Sequence, residues 1–172
     1  MYRSILLLVA LVALVSGVRA QAPDNPRMII ETEKGTITIE FFQADAPKSV
    51  EHILGLARRN FYRAQRIHRV ERTLVQFGDR NSRDMTRREW WGRSGSGTPI
   101  GVAEFNDHSH VRGAVSLAHG GNAAAADSQM FIVKVASPPL DGKHVVIGRV
   151  VSGMDVVDQL EVTDRLKNVT VE

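Results

Sequence analysis

The chain has 172 residues, 43% of them hydrophobic and 24% charged, which is the composition of one globular domain and excludes a disordered or fibrous chain. It has no cysteine, so disulfides, thiolate metal sites and a cysteine nucleophile are excluded. The formal net charge of +3 falls to +1 without the first twenty residues, which carry Arg3 and Arg19 and no acid, and a general case for nucleic acid as partner falls with it.

Arg3 precedes an uncharged apolar run from Ile5 to Val15, and small and polar residues then lead to Val18-Arg19-Ala20. A basic start, a short apolar core and a small-x-small exit are the pattern of a secretory signal peptide. The run is too short to cross a bilayer as an ordinary helix. Residues 1–20 are therefore expected to be a signal peptide cleaved after Ala20, residues 21–27 a flexible leader, and residues 28–172 a single domain.

Within that domain, Met28–Glu33 and Thr36–Phe42 alternate apolar and polar residues about Lys34-Gly35, which predicts a hairpin. Asp45-Ala46-Pro47 predicts a helix start, with the Asp45 carboxylate near the cap and Pro47 in the first turn. Val50, Ile53, Leu54, Ala57 and Phe61 then follow at helical spacing. Short β-rich runs come next: Ile67–Val70, Leu74–Phe77, Gly113–Leu117, Met130–Val135 and His144–Val150. A second helix is predicted over Asp155–Leu160 after Gly153, and a last strand over Asn168–Val171. Many short strands, two helices and turn-rich spacers point to a closed antiparallel barrel. Ser94–Gly97 and Ala123–Ala126 read as loops.

Alternation in Ser128–Val133 places Gln129, Phe131 and Val133 on one face and Met130 and Ile132 on the other. Both faces are apolar, as in a wall with a core inside and something covering it outside. Read singly, Gln129 is an exposed strand-end amide, Arg69 a surface residue with its stem on apolar ground, and His144 a structural histidine. A guanidinium entering an apolar groove would instead be a fixed donor fork in a low dielectric.

Taken together, Ile67–Asp79 (IHRVERTLVQFGD), Gly113–His119 (GAVSLAH), Ser128–Ile132 (SQMFI) and Leu140–Val150 (LDGKHVVIGRV) resemble the cyclophilin family of peptidyl-prolyl cis–trans isomerases in order and spacing. The resemblance runs from the Met28 strand to Val171. It implies a mainly β fold, a closed eight-stranded antiparallel barrel capped by two α-helices, with the active groove on the outer surface. It also implies roles. Arg69 stands in the HRV context of the catalytic arginine, and Gln76 matches the groove glutamine that braces it. Ala118, His119 and Gly120 match the edge that pairs with a peptide, with His119 where the family often has Asn. Gln129 and Phe131 match the glutamine and the floor of the proline pocket, and Leu140 and His144 its remaining wall. The implied partners are proline-containing segments of unfolded or folding exported proteins. No cofactor, metal or nucleic acid is implied, nor membrane insertion after signal cleavage, and the implied state is a monomer, periplasmic or secreted.

Three features depart from the family pattern. The stretch between Val70 and Gln76 is one residue short, so Leu74 replaces either an aromatic or a Met of the pocket wall. Pro139 stands where the family has a rim Trp or Phe, which predicts a weakened response to cyclosporin-type macrocycles. The Asp79–Gly113 connection carries Trp90-Trp91 amid arginines, either as loop packing or as a protein-binding surface; eleven Arg face four acidic residues between Arg58 and Arg93. Two other readings compete: a catalytically weak binding or chaperone module using the same groove, and a metal-dependent hydrolase built on His108-Ser109-His110 with His119 and His144. No G-x-S-x-G elbow supports a serine hydrolase. Asn168-Val169-Thr170 is a formal glycosylation sequon.

Overall fold

The computed structural model describes residues 25–172, so the expected signal peptide lies outside the described residues. Strands β1 (Arg27–Thr32) and β2 (Thr36–Phe41) form the expected hairpin, pairing Arg27 with Glu40 and Glu31 with Thr36. Their alternation buries Met28 and Ile30 from one strand and Ile37, Ile39 and Phe41 from the other. The Thr32 hydroxyl holds the turn, accepting from the Lys34 and Gly35 N–H groups and donating to the Gly35 carbonyl. The leader ends earlier than expected. The Phe41 N–H donates to the Pro26 carbonyl, and Arg27 already exchanges backbone hydrogen bonds with Glu172.

Helix α1 (Pro47–Arg58) turns Val50, Ile53, Leu54 and Ala57 inward as one apolar stripe. Its cap differs from the expectation. Asp45 turns instead to His108 Nε2 at 2.8 Å, and no neighbouring side chain caps the helix. The Glu104 carboxylate reaches over from a distant loop and accepts from the Lys48 and Ser49 N–H groups at 3.0 and 2.7 Å. A carboxylate on otherwise unpaired donors at a helix start is stabilising by hydrogen bonding and by the helix dipole.

The remaining strands are β3 (Arg69–Val70), β4 (Leu74–Phe77), β5 (Ala114–Leu117), β6 (Met130–Val133), β7 (Val146–Ser152) and β8 (Leu166–Val171), with helix α2 (Met154–Gln159) between the last two. All pairings are antiparallel, in the order β3-β4-β6-β5-β7-β2-β1-β8. The two edges approach each other without sharing a ladder. They meet at one bridge, Arg66 with Arg165, flanked by backbone bonds such as Ile67 N–H to the Asp164 carbonyl at 2.9 Å. The sheet is thus a curled half-barrel. Against the expected closed barrel, a ladder between β3 and β8 is absent among the described residues, and the edges are joined only by backbone bonds between residues 64–67 and 163–166.

Inside the curl, Val75, Phe77, Val115, Leu117, Met130, Ile132 and Ile147 join the hairpin and helix residues in the main core. Each such large aliphatic side chain contributes about 1.5–3 kcal/mol by leaving water. A second, smaller cluster lies on the other face: Leu74, Ala114, Phe131, Val133 and Val146, with Phe42, Ala118 and Leu140 packed against it. The sheet is therefore apolar on both sides, as the alternation in Met130–Val133 requires. The outer cluster carries the groove.

Candidate active site

The tight β3–β4 hairpin sets the first part of the site. Shortening leaves only Arg72 and Thr73 between Glu71 and Leu74, and the register puts Arg69 opposite Gln76 and Val70 opposite Val75. Cross-strand neighbours on one face lie within reach of each other, and here Arg69 Nη1 donates to Gln76 Oε1 at 3.1 Å. The next pairing sets Gln76 beside Phe131 on β6. Gln76 Nε2 donates to Gln129 Oε1 at 2.8 Å, and Gln129 Nε2 donates to the carbonyls of Gly92 and Ser94 at 3.1 and 2.7 Å. The chain of donors runs one way, from the guanidinium to the loop, so each amide has a single workable orientation.

Glu71 takes the other side of Arg69: its Oε1 lies 2.8 Å from Nε and 2.7 Å from Nη2. A guanidinium has five N–H donors. Three are engaged here, and two have no partner among the described residues.

Phe131 is 3% exposed and sits between histidines. The His110 ring stacks beside it at 5.9 Å, and the His144 ring meets it edge-on at 5.3 Å. His110 is buried and held at three points. Asp141 Oδ1 accepts from its backbone N–H and from Nδ1, at 2.8 and 2.7 Å. The Ser116 hydroxyl donates to the Val145 carbonyl, and its oxygen lies 3.1 Å from His110 Nε2. These contacts hold the Asp141 carboxyl below the ordinary carboxylate range. His144 donates through Nδ1 to the Leu117 carbonyl, and burial above all holds its imidazole below the usual range. His119 stacks on His144 at 4.3 Å, donates to the Lys143 carbonyl and accepts from the Gly121 N–H.

Beyond β5 the strand stops, and Gly120 lies in a bend. The Ala118 N–H is paired with the Gln129 carbonyl, but the N–H groups of His119 and Gly120 have no partner among the described residues. Backbone donors left unpaired offer hydrogen bonds to an added chain.

One groove of about 670 Å³ is lined by all ten sequence-designated residues: Arg69, Leu74, Gln76, Ala118, His119, Gly120, Gln129, Phe131, Leu140 and His144. Leu74 reaches it from β4 and Leu140 from the short turn Pro138–Leu140. Pro139 is exposed and is not among the lining residues. Sequence reading missed the far rim, formed by Gly92, Arg93, Ser94 and Gly95 with Asp127 beneath it. The Asp127 carboxylate is occupied by Ser96 Oγ, the Gly97 N–H and His52 Nε2. It also missed Glu71, which lacks a motif of its own, and the support role of His110.

Of the four histidines of the metal reading, His110, His119 and His144 are neighbours, but each ring is tied to the partners named above, while His108 stacks apart on Phe42 and pairs with Asp45. They form no group that could hold a metal ion among the described residues. Trp91 packs within its own loop, donating to the Asp84 carbonyl; Trp90 stays 48% exposed with the Arg93 guanidinium over its ring.

Residues 27–172 match the family model described as cyclophilin type peptidyl-prolyl cis-trans isomerase/CLD. The chain belongs to the cyclophilin-type isomerase family. It is 35% identical over 174 residues to a probable peptidyl-prolyl cis-trans isomerase of Brucella abortus, covering 96% of this chain and 88% of that one. A peptidyl-prolyl cis-trans isomerase of Helicobacter pylori is 35% identical over 142 residues, covering 81% and 83% of the two chains. Among solved structures, a cyclophilin-type isomerase of Cryptosporidium parvum, crystallised in the presence of the dipeptide Ala-Pro, superposes with a TM-score of 0.73 at 21% identity. It covers 85% of this chain and 98% of its own. That likeness confirms the half-barrel. In this cyclophilin the groove lies on the outer face, across β3, β4, β6 and the end of β5.

Proposed function

We propose that this cyclophilin accelerates rotation about X–Pro bonds in exported proteins, with Arg69 as the catalytic group and Gln76 as its brace. The carrying observation is the relay from Arg69 through Gln76 to Gln129, alongside the apolar floor of Phe131. An X–Pro bond rotates over a barrier of about 18–20 kcal/mol because partial C–N double-bond character is lost on the way. No bond breaks, so the reaction asks for neither nucleophile nor proton relay. Twisting makes the prolyl nitrogen pyramidal and returns its lone pair. A guanidinium N–H aimed there gains an acceptor that the planar amide lacks, which is differential binding of the transition state.

In this reading Phe131, Leu74, Leu140 and His144 hold the pyrrolidine ring. Gln129 and the free N–H groups of His119 and Gly120 hold the flanking chain while the other half turns. The partner is a proline-containing segment of a folding protein, bound by a monomer without cofactor. Arg3, the apolar run and Val18-Arg19-Ala20 support export to a periplasm or beyond.

The deciding experiment measures cis–trans exchange of a short X–Pro peptide with the wild type beside Arg69→Ala. Turnover that Arg69→Ala abolishes while the fold persists is expected. Equal rates with and without protein would overturn the reading. The second reading, a weak binding or chaperone module, draws on the hold of Glu71 on Arg69 and on Pro139 lying off the groove. Peptide binding without turnover would favour it. Export is tested separately: the N-terminus of protein recovered outside the cytoplasm should be Gln21, and protein retained with Met1 would remove that part.

A further inference from the structure

The Arg-rich stretch is not absorbed by the isomerase chemistry, yet its end forms the far rim of the groove. Gly92, Arg93 and Ser94 line the cavity, and Gln129 fastens that rim by donating to the Gly92 and Ser94 carbonyls. Of the acids within the stretch, Glu71 is held by Arg69, Asp79 accepts from the Asn81 and Ser94 N–H groups, and Asp84 accepts from Thr86. Only Glu89 is left over. Arg80, Arg87, Arg88 and Arg93 have no carboxylate within ion-pair distance among the described residues. At the same rim the Asp127 carboxylate accepts from His52, Ser96 and Gly97, which fix its place while its charge remains. Among the described residues, Arg93 is the rim cation without a carboxylate partner, set 5.5 Å over the Trp90 ring, which fixes the guanidinium without neutralising it.

We propose that Arg93 is a specificity-determining residue that favours substrates carrying Asp or Glu within two positions of the proline. This rests on the isomerase reading and names a substrate class for the same groove. Arg80, Arg87 and Arg88, exposed on the two short turns Arg80–Arg83 and Met85–Trp90, extend the same field along the loop. A carboxylate on the bound chain pairs with Arg93 without displacing an internal carboxylate partner, whereas an ammonium at Arg93 meets like charge. Nucleic acid fits less well, because the rim is continuous with an unpaired backbone edge at His119 and Gly120, which offers hydrogen bonds to an extended polypeptide.

The test uses three X–Pro peptides identical except for Glu, Ala or Lys next to the proline. Both kcat/KM and Kd are measured, at low salt and at about 1 M salt, where the Debye length shrinks to about 3 Å. Glu should exceed Ala and Ala exceed Lys by about two- to fivefold per step at low salt, the range of an exposed ion pair, with the ranking collapsing at high salt. Arg93→Glu should invert the ranking and Arg93→Gln should flatten it, which guards against a misfolded charge reversal. A wild type that treats Glu and Lys peptides alike, or a ranking that survives both substitutions, overturns the proposal. The two readings fail separately. Turnover without a charge ranking keeps the isomerase and removes Arg93, whereas charge-ranked Kd values without turnover keep Arg93 and remove the isomerase.

Discussion

Arg69 contacts Glu71 and Gln76 at once, and this arrangement decides what its replacement should do. Its side chain is half exposed, so removing it leaves no cavity in the core. Arg69→Ala should therefore keep the unfolding midpoint within the range of an ordinary surface substitution while kcat/KM falls by about 10²–10³-fold, as for loss of one transition-state donor. Lys should restore little, because a point charge cannot hold Glu71, Gln76 and a substrate nitrogen from one plane. Gln76→Leu tests the brace. It is 8% exposed, and its loss strands Gln129 Oε1 and one guanidinium donor together. A fall in kcat/KM of about tenfold or more is expected, with a stability cost of about 1–3 kcal/mol for the orphaned groups. An unchanged rate would show the relay to be scaffolding only. The primary groups here were legible because Arg69, Gln129 and Phe131 sit in contiguous runs, HRV and SQMFI. Glu71 and Asp141 were not, because their roles arise only when the hairpin closes and the Pro138–Leu140 turn docks.

Among the elements, α1 depends on a contact far away in the chain. Glu104 supplies its cap, so Glu104→Ala should cost about 1–2 kcal/mol in chemical denaturation, within the range of a lost N-cap. Asp45→Ala should not show a capping loss, since Asp45 faces His108 instead. The reverse result would restore the local cap. The strand following Gln76 is equally constrained. Gly78 has φ +104°, and a Cβ there would collide with the Ser128 carbonyl oxygen, while Ser128 Oγ donates back to the Gly78 carbonyl. Gly78→Ala should destabilise the domain by more than about 2 kcal/mol, and a native midpoint would contradict this close approach. Element types and most boundaries could be read from alternation and helical spacing, because those patterns report which side of each segment faces apolar surroundings. The strand predicted over Ile67–Val70 shrank to Arg69–Val70, because Arg66 and Ile67 pair with the chain before β8 rather than with β4. The distant cap and that stitch between edges are long-range contacts, to which local periodicity is blind.

At the scale of the whole molecule, two partly buried histidines at and beside the groove tie stability to pH. Both His68 ring nitrogens are buried without a hydrogen-bond partner among the described residues, and burial holds its imidazole below the usual range despite the opposing pull of Asp79 and of the nearby Gln129 side chain. His144 is depressed too, first by burial and further by His119, His110 and Arg69 nearby. For both, the folded state resists a proton that the unfolded chain accepts from about pH 6.5 downward. Below that point the unfolded state binds more protons, so the free energy of unfolding must fall as pH falls through the lowered folded values. The carboxylates give a separate and later loss. Asp141, held by His110, and Glu40, held first by Arg149, have depressed folded values, so their contribution stands above the ordinary carboxylate range and disappears as pH drops through it. Acid titration of stability should accordingly show two stages, the first near the imidazole range and the second at carboxylate pH. His68→Gln removes one of the two imidazoles and should flatten the first stage while leaving the second in place. Denaturant midpoints that stay level between about pH 7.5 and 5 in the wild type would mean that His68 and His144 titrate alike in folded and unfolded chains.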